Sequence, residues 1–197
     1  MRSHLMNQLD TVKLTVAKLC HEMANHLSVI TFIKEDLAGE TDELDELSMR
    51  TDLLTYVMEF FRGMYSTSGT ITDMTEVVLS IANFQRVRIS DSANAMCKFS
   101  ITKEANFFAG VLYIVLKICK PGDTITITES HRFTTVTIDT PRKLHSSICM
   151  AFNDETAVED IFNIFALYVK KLASNQGFKL STDLDEHEAA RVNIWKA

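Results

Sequence analysis

Leu19-Cys20-His21-Glu22-Met23-Ala24-Asn25-His26-Leu27-Ser28-Val29-Ile30 decides the fold, because it sets an imidazole on the outer side of a strongly periodic helix. Leu9, Val12, Val16, Leu19, Met23, His26, Ile30, Ile33 and Leu37 recur in alternating steps of three and four, the a/d seam of a helix packed in a bundle. On that wheel His21 takes the f position, facing away from the seam. Glu22, Asn25 and Ser28 sit beside it or one turn on. Leu14, Ala17, Lys18 and Ala24 complete a mildly apolar collar with few bulky charges, which suits the docking of a partner. A plain solvated histidine is the alternative reading of the helix alone. His21 and His26 are five positions apart, about 140° around the axis, so they cannot hold one zinc ion as residues at i and i+4 do. His26, on the seam, reads as a packed histidine.

Working outward, Gly39 ends the first helix and Thr41 offers an N-cap to a second, whose first turns carry Asp42, Glu43, Asp45 and Glu46 at the positive end of the helix dipole. Leu44, Leu47, Thr51, Leu54, Met58, Phe61 and Tyr65 repeat the three-four spacing. A short loop between two long helices makes an antiparallel hairpin. Leu27, Leu53, Val57, Phe60 and Met64 widen the apolar stripe beyond what one partner helix can cover, so the hairpin is expected to dimerise into a four-helix bundle.

Ser66 to Thr70 reads as a linker, dividing a helical domain at 1–67 from a second domain at 71–197. In the second domain Thr75 to Arg86 reads as a helix, Lys98 to Thr102 as a short strand, and Glu104 to Cys119 as a strongly apolar helix stopped by Pro121-Gly122-Asp123. Thr124 to Ser130 and Thr134 to Thr140 alternate β-branched and polar residues as a hairpin does. An irregular segment from Pro141 to about Thr156 precedes a helix from Ala157 to Ser174. Gly177 ends that helix, and Phe178 to Asp185 pairs with Ala189 to Lys196 around Glu186-His187-Glu188. The fold class is therefore α+β, a helical hairpin followed by helices on one face of a mixed sheet.

The chain has 197 residues, 46% of them hydrophobic and 23% charged, the composition of a globular protein of one large or two small domains. Its net charge of −6, with Lys and Arg scattered, argues against nucleic acid as a partner. Cys20, Cys97, Cys119 and Cys149 form no Cys-x-x-Cys pair, so neither a zinc ribbon nor a dithiol motif is written here. No stretch approaches the roughly 18 apolar residues of a membrane span. A cytoplasmic protein with reduced thiols, needing no membrane, is the expectation.

A long helix carrying His-Glu-x-x-Asn, a second antiparallel helix and an α/β sandwich in this order resemble the dimerisation and ATP-binding domains of a sensor histidine kinase. The nucleotide boxes of that family are missing. The apolar helix reads Gly110-Val111-Leu112-Tyr113-Ile114-Val115-Leu116-Lys117 where an Asn would hold magnesium. Asp139 keeps the acid of the Asp-x-Gly-x-Gly loop, but Thr140-Pro141-Arg142-Lys143 lacks its glycines. Ala157-Val158-Glu159-Asp160-Ile161-Phe162 lacks the glycine-rich loop before the last helix. Without those glycines backbone amides cannot approach triphosphate oxygens closely.

A histidine-bearing hairpin joined to a stripped ATPase-like domain is similar to the histidine phosphotransferases of the ChpT type, dimeric intermediates of alphaproteobacterial phosphorelays. The resemblance implies that His21 is the phosphoacceptor, taking a phosphoryl group from the receiver domain of a hybrid histidine kinase and passing it to the receiver of a response regulator. It assigns Glu22 to the Nδ1 proton, leaving Nε2 as nucleophile, and Asn25 to orienting the ring or the phosphoryl group. Leu14, Ala17, Lys18, Ala24 and Ser28 would form the receiver-docking collar. No cofactor or metal of its own is expected, magnesium arriving with the receiver. A non-catalytic dimeric scaffold or regulator of a two-component pathway is the alternative, and a kinase with altered boxes is a third reading, marked by ATP binding.

Overall fold

The computed structural model describes residues 23, 24, 27–33, 35, 42–65, 74–92, 94, 105–130, 133–140, 149, 152, 153, 161–184 and 190–197. The chain divides into two compact units, Met1–Thr72 and Asp73–Ala197.

In the first unit, residues 27–33 form helix α1 and Asp42–Tyr65 form helix α2. Threonines are tolerated inside α2 because their hydroxyls donate back along the helix, Thr51 Oγ1 to the Leu47 carbonyl at 2.7 Å and Thr55 Oγ1 to that of Thr51 at 2.9 Å. The expected seam of α2 splits in two. Thr51, Met58 and Tyr65 are buried, whereas Leu47 and Leu54 are exposed and Phe61 is half-buried. In α1 the buried residue is Leu27, at 6% exposure, and the seam positions Met23, Ile30 and Ile33 stand open. Within this unit the side of the helix turned inward is the one carrying Leu27, with Ala24 and Thr31 half-buried beside it, displaced around the helix from Met23, Ile30 and Ile33. Gly39, Thr41 and the linker lie outside the described residues.

In the second unit, helix α3 spans Met74–Phe84, strand β1 Arg88–Asp91, helix α4 Ala105–Leu116, strands β2 Thr124–Glu129 and β3 Thr134–Ile138, helix α5 Ile161–Asn175, and strands β4 Phe178–Leu184 and β5 Ala190–Lys196. The expected strand Lys98 to Thr102 lies outside the described residues. The strand described in that place of the order is β1, ten residues earlier, and its sequence Arg-Ile-Ser-Asp carries one apolar residue, too few to register as alternation. What stops α3 short of β1 is Arg86, in the left-handed region at φ 56°, with the Val87 amide donating to the Ala82 carbonyl at 2.9 Å, a helix end of the Schellman kind.

The five strands are ordered β1-β2-β3-β5-β4, with β1 parallel to β2 and the other pairs antiparallel. Parallel pairing at β1 is possible because α4 supplies the crossover between β1 and β2. On one sheet face Ile125 faces Ile138, Ile127 faces Val136, Val136 faces Val192, and Ile194 faces Leu180, all buried. The opposite face carries Thr126, Thr137, Arg191, Asn193 and Asp183, the alternation of a sheet covered on one side. Helix α4 packs between α3 and α5, and the three meet the sheet at β3, β1 and β4 respectively. Phe107 to Leu116 are buried without exception, so α4 is the centre of this core.

Candidate functional site

Of the residues expected to form the site, His21, Glu22, Asn25, Leu14, Ala17 and Lys18 lie outside the described residues. Ala24 and Ser28 are helical; Ala24 is half-buried, and Ser28 is exposed with its hydroxyl donating to the Ala24 carbonyl at 2.9 Å. That bond keeps the Ser28 side chain on the helix surface and leaves the ground above it open. One turn on stands a residue the collar did not include: Phe32, 70% exposed, with Val29, 59% exposed, beside it. Ser28, Val29 and Phe32 are related by three and four residues, so they share one face. The signal was in the sequence. An aromatic off the a/d seam of an otherwise amphipathic helix has no core within the hairpin to join, and it is left exposed.

A second apolar stripe, formed by Met23, Ile30 and Ile33 on α1, lies on a different side of the helix from Phe32 and is also exposed. On α2 the open residues are Leu47, Met49 and Leu54. Ile30 lies about 160° around the helix from both Ser28 and Phe32. One helix thus presents two apolar surfaces.

In the second unit, the described residues at the positions of the kinase nucleotide boxes are engaged within the fold. Gly110 to Leu116 are buried, and the one ionisable side chain among them, Tyr113, packs edge-on against Phe165 at 5.9 Å. Burial pushes the Tyr113 phenol up from its ordinary value, so it stays neutral. Lys117 holds its ammonium 5.1 Å from the Tyr113 ring centroid, and burial lowers its pKa from the usual lysine value. Asp139, the acid retained after β3, accepts the Thr126 hydroxyl at 2.8 Å while its amide donates to the Thr124 carbonyl at 2.9 Å. Thr140 donates to Asp123 Oδ1 at 3.1 Å, and the buried Asp123 accepts the Lys120 amide through Oδ2 at 2.7 Å. The carboxylates at this end of the sheet are used to join β2, β3 and the turn before them. Among the described residues no cluster of three His, Cys, Asp or Glu is placed to hold a metal ion, and no helix is long and apolar enough to cross a membrane.

The irregular segment expected to replace the nucleotide lid is described at Cys149, Phe152 and Asn153, all three helical. Phe152 is fully buried, and the Asn153 amide bonds Thr182 of β4. At Phe152 and Asn153 the segment is tied to the core. Residues 141–148, 150, 151 and 154–160 lie outside the described residues.

No family model matches the chain, and no curated protein does. Among solved structures, a bacterial phosphotransferase is similar at a TM-score of 0.63 and 11% identity, covering 95% of this chain and 95% of its own. A mycobacterial sensor histidine kinase, MprB, gives a TM-score of 0.42 at 12% identity over 64% of this chain and 93% of its own. The blue-light activated histidine kinase EL346 of Erythrobacter litoralis gives 0.42 at 15% identity over 95% of this chain and 59% of its own. At such identities the likeness is one of fold, and the fold resemblance expected from the sequence is shown: this chain is similar over 95% of its length to a bacterial phosphotransferase.

Proposed function

We propose that this protein is a phosphorelay histidine phosphotransferase working without ATP. The observation that carries the reading is the open Ser28, Val29, Phe32 face on the helix that follows His21-Glu22-x-x-Asn25 in the sequence, whose periodicity predicts one continuous helix through both. Ideal helical geometry sets position 32 about 20° around the axis and about 16 Å along it from position 21, close to the radius of a small receiver domain. Phe32 then anchors the partner while His21 reacts. The Nε2 lone pair of a neutral His21 attacks the phosphorus of an aspartyl phosphate, an N–P bond forms, and the P–O bond to the receiver aspartate breaks. Glu22 holds the Nδ1 proton and takes up the charge that develops on the ring, and Asn25 orients the phosphoryl group. The reverse displacement by the aspartate of a second receiver discharges the histidine. Magnesium belongs to the receiver's acidic pocket, and Lys18 complements that pocket's charge.

The exposed Met23, Ile30, Ile33, Leu47 and Leu54 support a homodimer in which two hairpins form a four-helix bundle, leaving each Phe32 face for a receiver. The division of work follows domains at 1–67 for transfer and 71–197 as a degenerate ATPase-like unit.

The test mixes the protein with receivers phosphorylated on aspartate and follows acid-labile label. Wild type takes the label and His21→Ala does not, while Phe32→Glu slows transfer by about 10- to 100-fold, the effect of losing one interface anchor. Binding of receivers without labelling of the wild type would move the reading to the dimeric scaffold.

A further inference from the structure

Among the described residues the sheet ends on β4, which has β5 as its one strand neighbour. Thr182 pairs with Val192 in that ladder, yet its amide donates to Asn153 Oδ1 at 3.0 Å and its carbonyl accepts from Asn153 Nδ2 at 3.1 Å. Both backbone groups of Thr182 therefore point away from β5, and with the period of two in an antiparallel ladder so do those of Leu180 and Leu184. Such an outward row is a template for a further strand.

A primary amide offers one carbonyl and one N–H pair side by side, the same complement a peptide unit presents to an edge. Asn153 uses both and adds a third bond, from Nδ2 to Thr182 Oγ1 at 3.1 Å. Its neighbour Phe152, 1% exposed, roots it in the core. The side chain acts as a strand one residue long, fixed at the middle of the outward row.

We propose that Asn153 is an edge guard, blocking antiparallel addition of a second copy of this chain through β4. A second β4 would need the Thr182 groups to stay in register, because slipping by one residue turns buried Leu180 and Thr182 toward the other face. Occupying that single position breaks the ladder between Leu180 and Leu184. The guard is separate from the open stripes of the hairpin and does not depend on the phosphotransfer reading.

The test compares wild type, Asn153→Ala, Asn153→Asp and Asn153→Ala with Thr182→Pro by sedimentation and by amide exchange. In Asn153→Ala the Thr182 amide exchanges faster, and species larger than the wild-type assembly appear at a concentration about tenfold lower, the scale of one or two lost hydrogen bonds. Asn153→Asp keeps an acceptor for the Thr182 amide and adds a charge at the edge, so its assembly stays that of wild type. Proline at 182 removes the outward donor, and the double variant returns to wild-type size. The proposal is overturned if Asn153→Ala keeps wild-type size up to its solubility limit, if the double variant associates as strongly as the single, or if Thr182 exchanges equally fast in wild type.

Discussion

In the sheet unit Ile125, Ile127, Val136, Ile138 and Val192 have no exposed surface, whereas in the helical unit Val29, Phe32, Ile33, Leu47 and Met49 stand open. Both units are written with regular apolar periodicity. They use it differently. Among the described residues the sheet unit closes all its large apolar side chains but Phe133 against exposure, over α4, while the helices of the first unit leave several uncovered, the surfaces that the proposed function gives to partners. A stability defect is therefore expected from truncations in the first case and an association defect in the second.

Phe108→Ala is the strongest way to test that contrast. Phe108 is fully buried in α4, at the centre of the layer between α3 and α5, and removing its ring costs about 3–5 kcal/mol of unfolding free energy. The single tryptophan, Trp195 of β5, reports the unfolding of this unit in urea. A loss below about 1 kcal/mol would mean that the core repacks freely, and the contrast would fail.

A second experiment places a carboxylate on the other surface. Ile30→Glu together with Leu54→Glu puts charges into the stripe proposed for dimerisation, and self-association should weaken by about two orders of magnitude, because an unpaired carboxylate buried at an apolar interface costs several kcal/mol. Unfolding followed at Trp195 should move by less than about 0.5 kcal/mol, as for surface substitutions. A dimer that survives both changes would take the interface elsewhere.

How much of this was legible in the sequence follows from the same contrast. The order of helices and strands in the sheet unit could be read because Thr124 to Glu129 and Thr134 to Ile138 alternate cleanly and α4 is continuously apolar. Strand β1 could not, since one isoleucine among Arg88, Ser90 and Asp91 gives no period, and its pairing with β2 is fixed by the tertiary register Ile89 to Ile125. On the hairpin, spacing located an apolar stripe but could not divide it. Whether Leu27 or Ile30 turns inward depends on a rotation of α1 against its neighbour that a heptad pattern leaves open. Phe32 lies outside the collar around His21 because it stands eleven positions on, and its 70% exposure is a property of the folded hairpin that spacing alone does not carry. The role of Asn153 lay out of reach, because Thr182 is 29 positions away and no local pattern joins an amide in an irregular segment to a strand edge.

The smallest expected effect tests how tightly the helical layer of the sheet unit is sealed. Burial pushes the Tyr168 phenol up to about 12 from 10.0, and that of Tyr113 upward too. Above the unfolded value the unfolded chain gives up these protons while the folded chain keeps them, so stability present below pH 10 declines as pH rises from about 10 toward 12. Lys117 acts in the opposite sense, because burial lowers its pKa and the unfolded chain then holds more protons in the window below 10.5; there its contribution rises with pH. Urea unfolding of wild type should accordingly show a decline that begins near pH 10, after a shallower approach set by Lys117. Tyr168→Phe should reduce the alkaline slope, and combining it with Tyr113→Phe should reduce it further. Lys117→Met should remove the opposing contribution, raising stability at neutral pH relative to its value near pH 10. A slope unchanged in the double tyrosine variant would mean that water reaches both phenols, and that the layer around α4 is open at Tyr113 and Tyr168 even though its aliphatic centre is closed.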